Sequence, residues 1–334
     1  MRTVTKLIVS VFVVGLAFIT IKVSSIWGQA APKKIKMATI APAGSSWDKI
    51  TNDLNTELQQ KTGGKLALQV YPGGTQGDET AVVRKIRAGQ LDAAGFTGFG
   101  LGQIAPSVIV LEIPFLFKDA ADIDARTSKI TPTLEKALSA GNPPVELLGW
   151  AEAGFVYMMS NKPIAKLADL KGIKMWMWEG DPLAEAMFSA MNVTPIQLSI
   201  ADVLTSLKTK MIEGVYAPPM GAVALQWASN VKYITDMPLV NSIGALVVSK
   251  AAFSKLPPDQ QKILKEVAAK YCRQIIEQTR KDNDAAMASL LKLGVQKVTV
   301  ADADRAEMMK ISKDVGQKLV GKLYSQELLS MVQP

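Results

Sequence analysis

Few groups in this 334-residue chain could carry out covalent chemistry. It contains no histidine and a single cysteine, Cys272. This composition excludes Ser-His-Asp and Cys-His triads, imidazole-bound zinc, thiolate metal clusters and intrachain disulfides. Acid pairs such as Asp302 and Asp304 remain, but they stand in a polar segment at a predicted helix start. We therefore predict no enzyme and no cofactor, and interpret Cys272 as a small buried hydrophobic residue.

Two tryptophans spaced two residues apart are the clearest candidates for ligand contact. The stretch runs Lys174, Met175, Trp176, Met177, Trp178. Successive side chains of a strand point to opposite faces, so the tryptophans share one face and the methionines share the other. The tryptophans then form an apolar or stacking wall. The alternative is that both pack in the core or at its rim.

Strand and helix patterns alternate in the first part of the chain. Helix caps and breakers, such as Ser45 or Ser46 at the start and Gly63-Gly64 at the end, bound the first helix. A β-α-β-α-β series implies right-handed crossovers and a largely parallel sheet. The predicted elements are strands at Lys34–Ile40, Leu66–Tyr71 and Leu91–Phe96 and helices at Trp47–Lys61 and Asp78–Ala88.

A second α/β series begins near Phe155. Ser199 is its clearest helix cap, and Pro218-Pro219 ends its last strand. The predicted elements are strands at Gly172–Trp178, Val193–Leu198 and Val215–Ala217 and helices at Pro182–Met191 and Ile200–Met211. The chain therefore holds two α/β units in tandem.

One long helix is predicted over Asp259–Leu293, where apolar residues recur at helical spacing between Pro257-Pro258 and Gly294. At ~1.5 Å per residue it extends about 50 Å, which exceeds one domain of ~150 residues. We expect it to run across both units. The alternative is two helices with a bend near Lys281–Asn283, where the sequence is polar all round.

The start of the chain has the three parts of an export signal. Arg2 and Lys6 precede an apolar run, Leu7–Ile21, and small residues lead to a cleavage site between Ala30 and Ala31. The apolar run is shorter than the ~20 residues of a spanning helix, although a retained anchor remains the alternative. We expect a periplasmic protein, whose core is large enough to fold without a disulfide.

The charge pattern argues against nucleic acid as a partner. The formal net charge is +8, but the basic residues are dispersed. Arginine-rich blocks and interleaved aromatics, which bind phosphates and stack bases, are missing from the sequence. Apolar residues make up 48% of the chain and charged residues 20%, as in a globular protein with a substantial core.

Five sequence blocks follow one another over residues 71–214. They are Tyr71–Glu79 (similar to YPGGQLG(D/S)E), Ile86–Asp92, Glu112–Phe117 (similar to x-lPFlF), Asp169–Lys174 (similar to DLKGlKiR) and Asp202–Leu207 followed by Glu213-Gly214. Each block alone is weak, but together and in this order they resemble the substrate-binding proteins of tripartite ATP-independent periplasmic (TRAP) transporters, the DctP-like family. The export segment and the long helix agree with this resemblance.

The resemblance implies a two-lobed α/β periplasmic binding protein fold that closes on a small molecule, with the long helix spanning both lobes. It also implies two partners, a small and a large integral membrane subunit. The expected division is a signal peptide at 1–30, lobe 1 at 31–153 plus about 240–294, and lobe 2 at 154–239 plus about 295–334. Pro114–Phe117 is expected to serve core packing rather than the site.

Three polar ligand contacts typical of the family are replaced here. The family's carboxylate-binding arginine corresponds to Trp176, an asparagine to Ala217, and a further arginine to Val156. The chain thus resembles a divergent branch that lacks the ligand-binding arginine. Because apolar walls with few polar groups suit apolar ligands, we expect an apolar or weakly polar ligand.

The candidate site combines these positions with the polar groups that remain nearby. We interpret Asp181 as the N-cap of the helix that begins at Pro182 rather than as a ligand contact. The candidate ligand-binding residues are Trp176, Trp178, Tyr216, Ala217, Phe155, Glu152, Ser45, Ser46, Thr97 and Glu179.

The favoured function is an exported solute-binding protein that delivers its ligand to a TRAP transporter. Two alternatives stay open: an exported carboxylate-dependent α/β hydrolase, and a lipid carrier or sensor without a transport role. Turnover of a substrate would favour the hydrolase, whereas a ligand that copurifies without turnover favours the binding protein.

Overall fold

The computed structural model describes residues 32–333, and the predicted signal segment lies outside them. The first β-α-β-α-β series is confirmed. Strand β1 lies between β2 and β3 and is parallel to both, with Lys33 opposite Leu66 and Met37 opposite Ala93. Its elements are β1 Lys33–Thr39, α1 Ser46–Lys61, β2 Leu66–Tyr71, α2 Glu79–Arg87 and β3 Ala93–Thr97.

Side-chain caps fix where these helices begin. The Ser45 hydroxyl accepts the backbone N–H of Asp48, and the Asp78 carboxylate accepts that of Ala81 at 2.9 Å. Each cap satisfies one of the free N–H groups of a first helical turn and stabilises the helix by about 1 kcal/mol. The two caps therefore lie in the connections from β1 to α1 and from β2 to α2.

Two long antiparallel strands, β4 Val145–Ser160 and β9 Val240–Ser249, were not predicted from the sequence. They pair from Val145 opposite Ser249 to Val156 opposite Val240. Beyond Val156, β4 pairs instead with β7 Gly214–Ala217 and β8 Tyr233–Thr235. With β10 Gln296–Val298 at one end, the sheet order is β10-β8-β4-β9-β3-β1-β2, and β7 also pairs with β4. Strand β4 therefore connects the two halves of the sheet.

The second α/β series is present, and two of its three strands are shorter than predicted. Residues 172–175 are not part of β5, because Gly172 has φ +79° and Met175 bridges to Gly214 instead. Strands β5 and β6 form a separate parallel pair. The elements are β5 Trp176–Trp178, α5 Pro182–Ala190, β6 Ile196–Leu198, α6 Ile200–Lys208, β7 Gly214–Ala217, α7 Pro219–Ala224 and β8 Tyr233–Thr235.

The long helix is a single element, α9, which spans 35 residues from Pro258 to Lys292. At ~1.5 Å per residue it is about 52 Å long, and no bend interrupts it at 281–283. The polar residues there are used in packing. Asn283 accepts the N–H of Met220 at 3.0 Å and donates to the carbonyl of Ala153 at 2.9 Å. Helix α9 thus joins α1, β4 and α7.

The remaining helices and one short strand complete the fold. They are α3 Gly98–Ile104, α4 Ala120–Ser139, α8 Lys250–Phe253, β10 Gln296–Val298, α10 Asp302–Lys318 and α11 Gln326–Val332, with 3-10 helices at Pro106–Glu112, Leu167–Leu170 and Ala228–Asn230. Helix α11 packs against α4. The lobe boundaries given above stay a prediction. Across residues 32–333, no helix combines the length and apolarity needed to cross a membrane.

The apolar core contains the residues expected there. Phe117 is buried in a cluster with Ile130 and Leu134. Cys272 is 1% exposed on α9, and its burial raises the pKa of the thiol to about 12. A thiol that stays protonated in an apolar setting behaves as a packing group.

Candidate ligand-binding cavity

A cavity of about 210 Å³ opens where the carboxyl ends of β1 and β3 meet the second α/β unit. Loops at the carboxyl ends of parallel strands are where α/β proteins usually bind ligands. The β4–β9 pair forms its floor, and β5, β7, α7 and α9 contribute its other walls. The cavity is therefore built from both halves of the sheet.

An aromatic wall lines one side of this cavity. Trp176 and Trp178 pack in one apolar cluster, whereas Met175 and Met177 pack in another, as the alternation of the strand requires. The Trp178 ring stacks on Phe99 with centroids 4.7 Å apart, and the Trp176 ring stacks on Tyr216 at 5.1 Å. Because Phe99 belongs to α3, this stack joins the two halves of the sheet.

The two tryptophans differ in how their indole N–H groups are satisfied. Trp176, which is 2% exposed, donates its Nε1–H to the carbonyl of Leu198 at 3.1 Å. Trp178 is 9% exposed, and its buried Nε1 has no hydrogen-bond partner among the described residues. Buried polar groups are normally paired, so Trp178 is the less well satisfied of the two tryptophans.

Glu79 is the most buried acid of the cavity, at 1% exposure. Its carboxylate accepts the Thr97 N–H at 2.7 Å, the Thr97 hydroxyl at 2.6 Å and the Gly100 N–H at 2.9 Å. Burial raises the pKa of Glu79 to about 7, although these hydrogen bonds lower it in part. Glu79 thereby caps the start of α3 from the neighbouring helix.

Glu112 faces the same cavity from the end of the first 3-10 helix. Its Oε1 accepts the N–H of Ile243 at 2.8 Å and lies against Gly98, where a Cβ atom would collide with it. Burial raises the pKa of Glu112 to about 8, with further repulsion from Asp181 and Glu79. All three acids line the same cavity.

Asp181 both caps α5 and lines the cavity. Its Oδ1 accepts the N–H groups of Leu183 and Ala184, each at 3.0 Å. Burial raises its pKa, and these two hydrogen bonds lower it in part. Burial and the nearby Asp181 charge also raise the pKa of Tyr216 well above its ordinary value.

The fourth acid, Glu152, is paired. Its carboxylate accepts Arg280 Nε at 2.7 Å, and the same guanidinium binds Asp124 at 2.6 and 3.0 Å. Hydrogen bonds to Asp124, and then to Glu152, raise the pKa of Arg280. Both edges of the guanidinium are therefore occupied by protein carboxylates.

Six of the ten candidate residues line the cavity: Trp176, Trp178, Tyr216, Ala217, Glu152 and Thr97. Val156, which corresponds to a family arginine, lines it as well. The other four candidates have other neighbours. Phe155 packs on the cluster of Leu134, Ser45 caps α1, Ser46 donates to Asp282, and Glu179 is exposed.

Sequence reasoning missed Glu79, Glu112, Phe99 and Trp227, all of which line the cavity. Glu79 and Glu112 fall within two of the family-like blocks, so the signal was present. One acid is a first-turn helix residue, and the other ends an apolar run. Because each local role is ordinary, neither indicated that the two acids line the same cavity. Within residues 32–333, no group of three His, Cys, Asp or Glu side chains is placed to hold a metal ion.

A family model and a curated relative match most of the chain. Residues 37–322 match the model described as DctP, bacterial extracellular solute-binding protein, family 7. The 2,3-diketo-L-gulonate-binding periplasmic protein YiaO of Escherichia coli K12 is 27% identical over 259 residues, which cover 76% of each chain.

Solved structures share the architecture. A TRAP periplasmic solute binding protein from Citrobacter koseri with bound D-glucuronate superposes with a TM-score of 0.82 at 24% identity, covering 90% of this chain and 98% of that one. Another from Desulfovibrio salexigens, with bound orotic acid, gives 0.83 at 19% identity, covering 90% and 97%. These likenesses confirm the two-lobed α/β fold class, and the family match identifies the chain as a member of the DctP family, bacterial extracellular solute-binding protein family 7.

Proposed function

We propose that this TRAP solute-binding protein holds a small apolar or weakly polar ligand in the cavity described above. The observation that carries the proposal is the make-up of the walls. Among the described residues that line the cavity, none is lysine or arginine, and Trp176 stands where the family resemblance places the carboxylate-binding arginine. Relatives with known ligands bind acids such as D-glucuronate, so the ligand proposed for this chain belongs to a different chemical class.

Desolvation explains why these walls disfavour a simple organic acid. A carboxylate that enters an apolar cavity loses its hydration, and a fixed guanidinium normally offsets that loss. Arg280, which binds the cavity-lining Glu152, is also bound to Asp124. Glu79, Glu112 and Asp181 would add repulsion. Succinate and malate should therefore bind weakly or not at all.

We also propose the membrane partners and the export step that transport requires. The loaded protein delivers its ligand to the small and large membrane subunits of a TRAP transporter in the periplasm, after removal of residues 1–30. N-terminal sequencing of periplasmic protein should return Ala31 as the first residue, whereas an intact Met1 would support a retained anchor. Members of this family are transport components, so the hydrolase and sensor alternatives are not favoured.

Two measurements test the ligand class. Native mass spectrometry of the purified protein should reveal a bound molecule without a carboxylate. Isothermal titration calorimetry should find no micromolar binding of succinate or malate. Micromolar binding of either acid would overturn the proposal. It would mean that another cation, such as Lys174, binds the carboxylate.

Trp176→Ala tests the aromatic wall. Because Trp176 is 2% exposed, its truncation should lower the free energy of unfolding by about 3–5 kcal/mol. It should also cost about 1–3 kcal/mol of binding, from lost area and stacking. Trp178→Phe keeps an aromatic ring but reduces the contact area at the cavity wall, so it should weaken binding with a smaller loss of stability than Trp176→Ala.

Trp150→Ala is the matched control for the aromatic wall. Trp150 is also partly buried, but it donates to Thr131 and packs away from the cavity. It should lower stability and leave affinity unchanged. If Trp150→Ala and Trp178→Phe changed affinity equally, the wall would not be the ligand contact.

A further inference from the structure

Among the described residues, three glycines line the cavity: Gly95 on β3, Gly221 in α7 and Gly244 on β9. Glycine weakens the interior of a strand or helix, because it loses much backbone freedom on folding and has no side chain to pack. It is usually required by a positive φ or by a neighbour that leaves no room for a Cβ atom. Gly244 meets the second condition, since its Cβ would lie 2.9 Å from the carbonyl oxygen of Phe96.

Gly95 and Gly221 meet neither condition. Neither residue has a positive φ. The atoms nearest to a Cβ at Gly95 would belong to the side chains of Thr39 and Met37, at 3.4 to 3.6 Å. The atom nearest to a Cβ at Gly221, apart from its own helix, would be Cδ of Pro218 at 3.5 Å. These are ordinary van der Waals distances, so the protein itself has room for a methyl group at both positions.

We propose that Gly95 and Gly221 select the size of the ligand, because each leaves the space of one side chain open for the ligand's apolar body. This inference rests on the proposed function and deepens it by assigning two specificity residues. An apolar cavity of ~150 Å³ accommodates one benzene ring. The cavity here is larger, at about 210 Å³, so the ligand has an apolar body about as large as two fused rings.

The wall around Gly95 suits such a body. Gly95 lies next to Leu246 of the neighbouring strand β9, which also lines the cavity. Helix α1 packs on the same face of the sheet and adds Trp47 and Thr51 to the lining. The Thr51 hydroxyl donates to the carbonyl of Trp47 at 2.8 Å, and the Trp47 indole donates to Thr279 at 2.7 Å. Because these donors are already used within the protein, this wall offers a ligand mainly apolar contact.

The wall around Gly221 is also apolar. Pro218, Gly221 and Leu225 all line the cavity, and their spacing of three and four residues places them on one face of α7. The N–H of Leu225 donates to the carbonyl of Gly221 at 2.9 Å, as helical geometry requires. Alanine would favour the helix at this position, where the chain has glycine. The space that it leaves towards the cavity explains the glycine.

Three probes of related shape test the size selection by isothermal titration calorimetry. They are benzyl alcohol with one ring, 2-naphthalenemethanol with two rings, and 2-naphthoate with two rings and a carboxylate. The wild type should bind 2-naphthalenemethanol about tenfold more tightly than benzyl alcohol, because the second ring buries more apolar area. Gly95→Ala and Gly221→Ala should each weaken 2-naphthalenemethanol by at least about fivefold and benzyl alcohol by less than about twofold, because the added methyl group overfills the cavity only with the larger probe.

Two further variants are the controls. Gly316 lies in α10, outside the cavity lining, and its Cβ would meet Ile113 at 3.5 Å, so Gly316→Ala should leave the affinity for both alcohols unchanged. Melting curves separate packing from binding. Gly221→Ala and Gly316→Ala should raise the melting midpoint by up to about 2–4 °C, and Gly95→Ala should not lower it. Gly244→Ala should lower it, because its Cβ would collide with backbone.

Each other outcome has a definite meaning. If either cavity variant binds 2-naphthalenemethanol as tightly as the wild type, or if Gly316→Ala weakens it equally, the inference is wrong and the proposed function stands. If Gly95→Ala melts as low as Gly244→Ala, packing requires Gly95 and the inference is wrong for that residue. If the wild type binds neither alcohol at millimolar concentration, the inference is overturned. Tighter binding of 2-naphthoate than of 2-naphthalenemethanol by the wild type overturns the proposed function, and the inference with it.

Discussion

The cavity is lined by two kinds of acid. Glu152 is 4% exposed and bound to Arg280, which also binds the surface residue Asp124. Glu79, Glu112 and Asp181 line the same cavity, accept hydrogen bonds from backbone N–H groups and form no salt bridge within residues 32–333. The first group joins β4, α9 and α4, whereas the second opens towards the cavity.

The difference separates charges that are balanced within the protein from charges that are not. A paired buried acid satisfies itself within the protein, so its removal mainly affects stability. Acids without a paired cation have raised pKa values instead, and the folded protein carries that cost. Perturbed acids grouped in one cavity mark a candidate functional site.

The largest effect should come from breaking the paired group. Arg280→Met leaves Glu152 buried without its cation, and should lower the free energy of unfolding by about 3–5 kcal/mol. Asp124→Asn removes the other carboxylate, which is 58% exposed, and should cost less than about 1 kcal/mol. Urea denaturation of both variants at neutral pH measures the contrast. Equal losses would mean that Glu152 is not held by Arg280.

The unpaired group should make stability depend on pH in the opposite sense to ordinary salt-bridged acids. The folded pKa of Glu112, about 8, lies above its ordinary value of 4.5. The folded state therefore holds a proton that the unfolded chain has lost, so stability is fully present below pH 4.5 and falls as pH rises towards 8. The total loss should be on the order of 3 kcal/mol, because one pKa unit corresponds to ~1.4 kcal/mol and the cavity retains some solvent.

Melting curves across this pH range check the prediction. Glu112→Gln cannot ionise, so its stability should vary less with pH than that of the wild type. A wild-type protein whose stability rises from pH 4.5 to 8 would show that the cavity acids are ionised and compensated by another group.

Local signals explain which parts of the fold could be predicted from the sequence. Strand β2 and helix α9 have clear periodicity and clear breakers at their ends, so their predicted limits differ from the observed ones by at most one residue. Strands β4 and β9 were not predicted because each is recognised as a strand mainly through its pairing with the other. Their partners lie far apart in sequence, and two bulges, one next to Gly154, disturb the alternation in β4.

The same limit applies to the cavity. The spacing of Trp176 and Trp178 predicts their shared face, and both line the cavity. The depth of Trp176 depends on Trp227 and Tyr216, which come from a later part of the chain. Glu79 and Glu112 are 33 positions apart and meet only through the packing of α2, α3 and β9.

Glu79 is intermediate between the two kinds of acid, because three hydrogen bonds replace the missing cation. Thr97→Val removes the hydroxyl donor, whose 2.6 Å bond lowers the pKa of Glu79. The variant should therefore raise that pKa above about 7 and cost about 1 kcal/mol of stability. Thr97→Ser keeps the donor and is the control, with a smaller loss and an unchanged pKa. Carbon-13 NMR of the glutamate carboxyls, assigned with Glu79→Gln, measures the titration. If both variants left the pKa in place, the Thr97 hydroxyl would not stabilise the Glu79 carboxylate, and Glu79 would belong with Glu112.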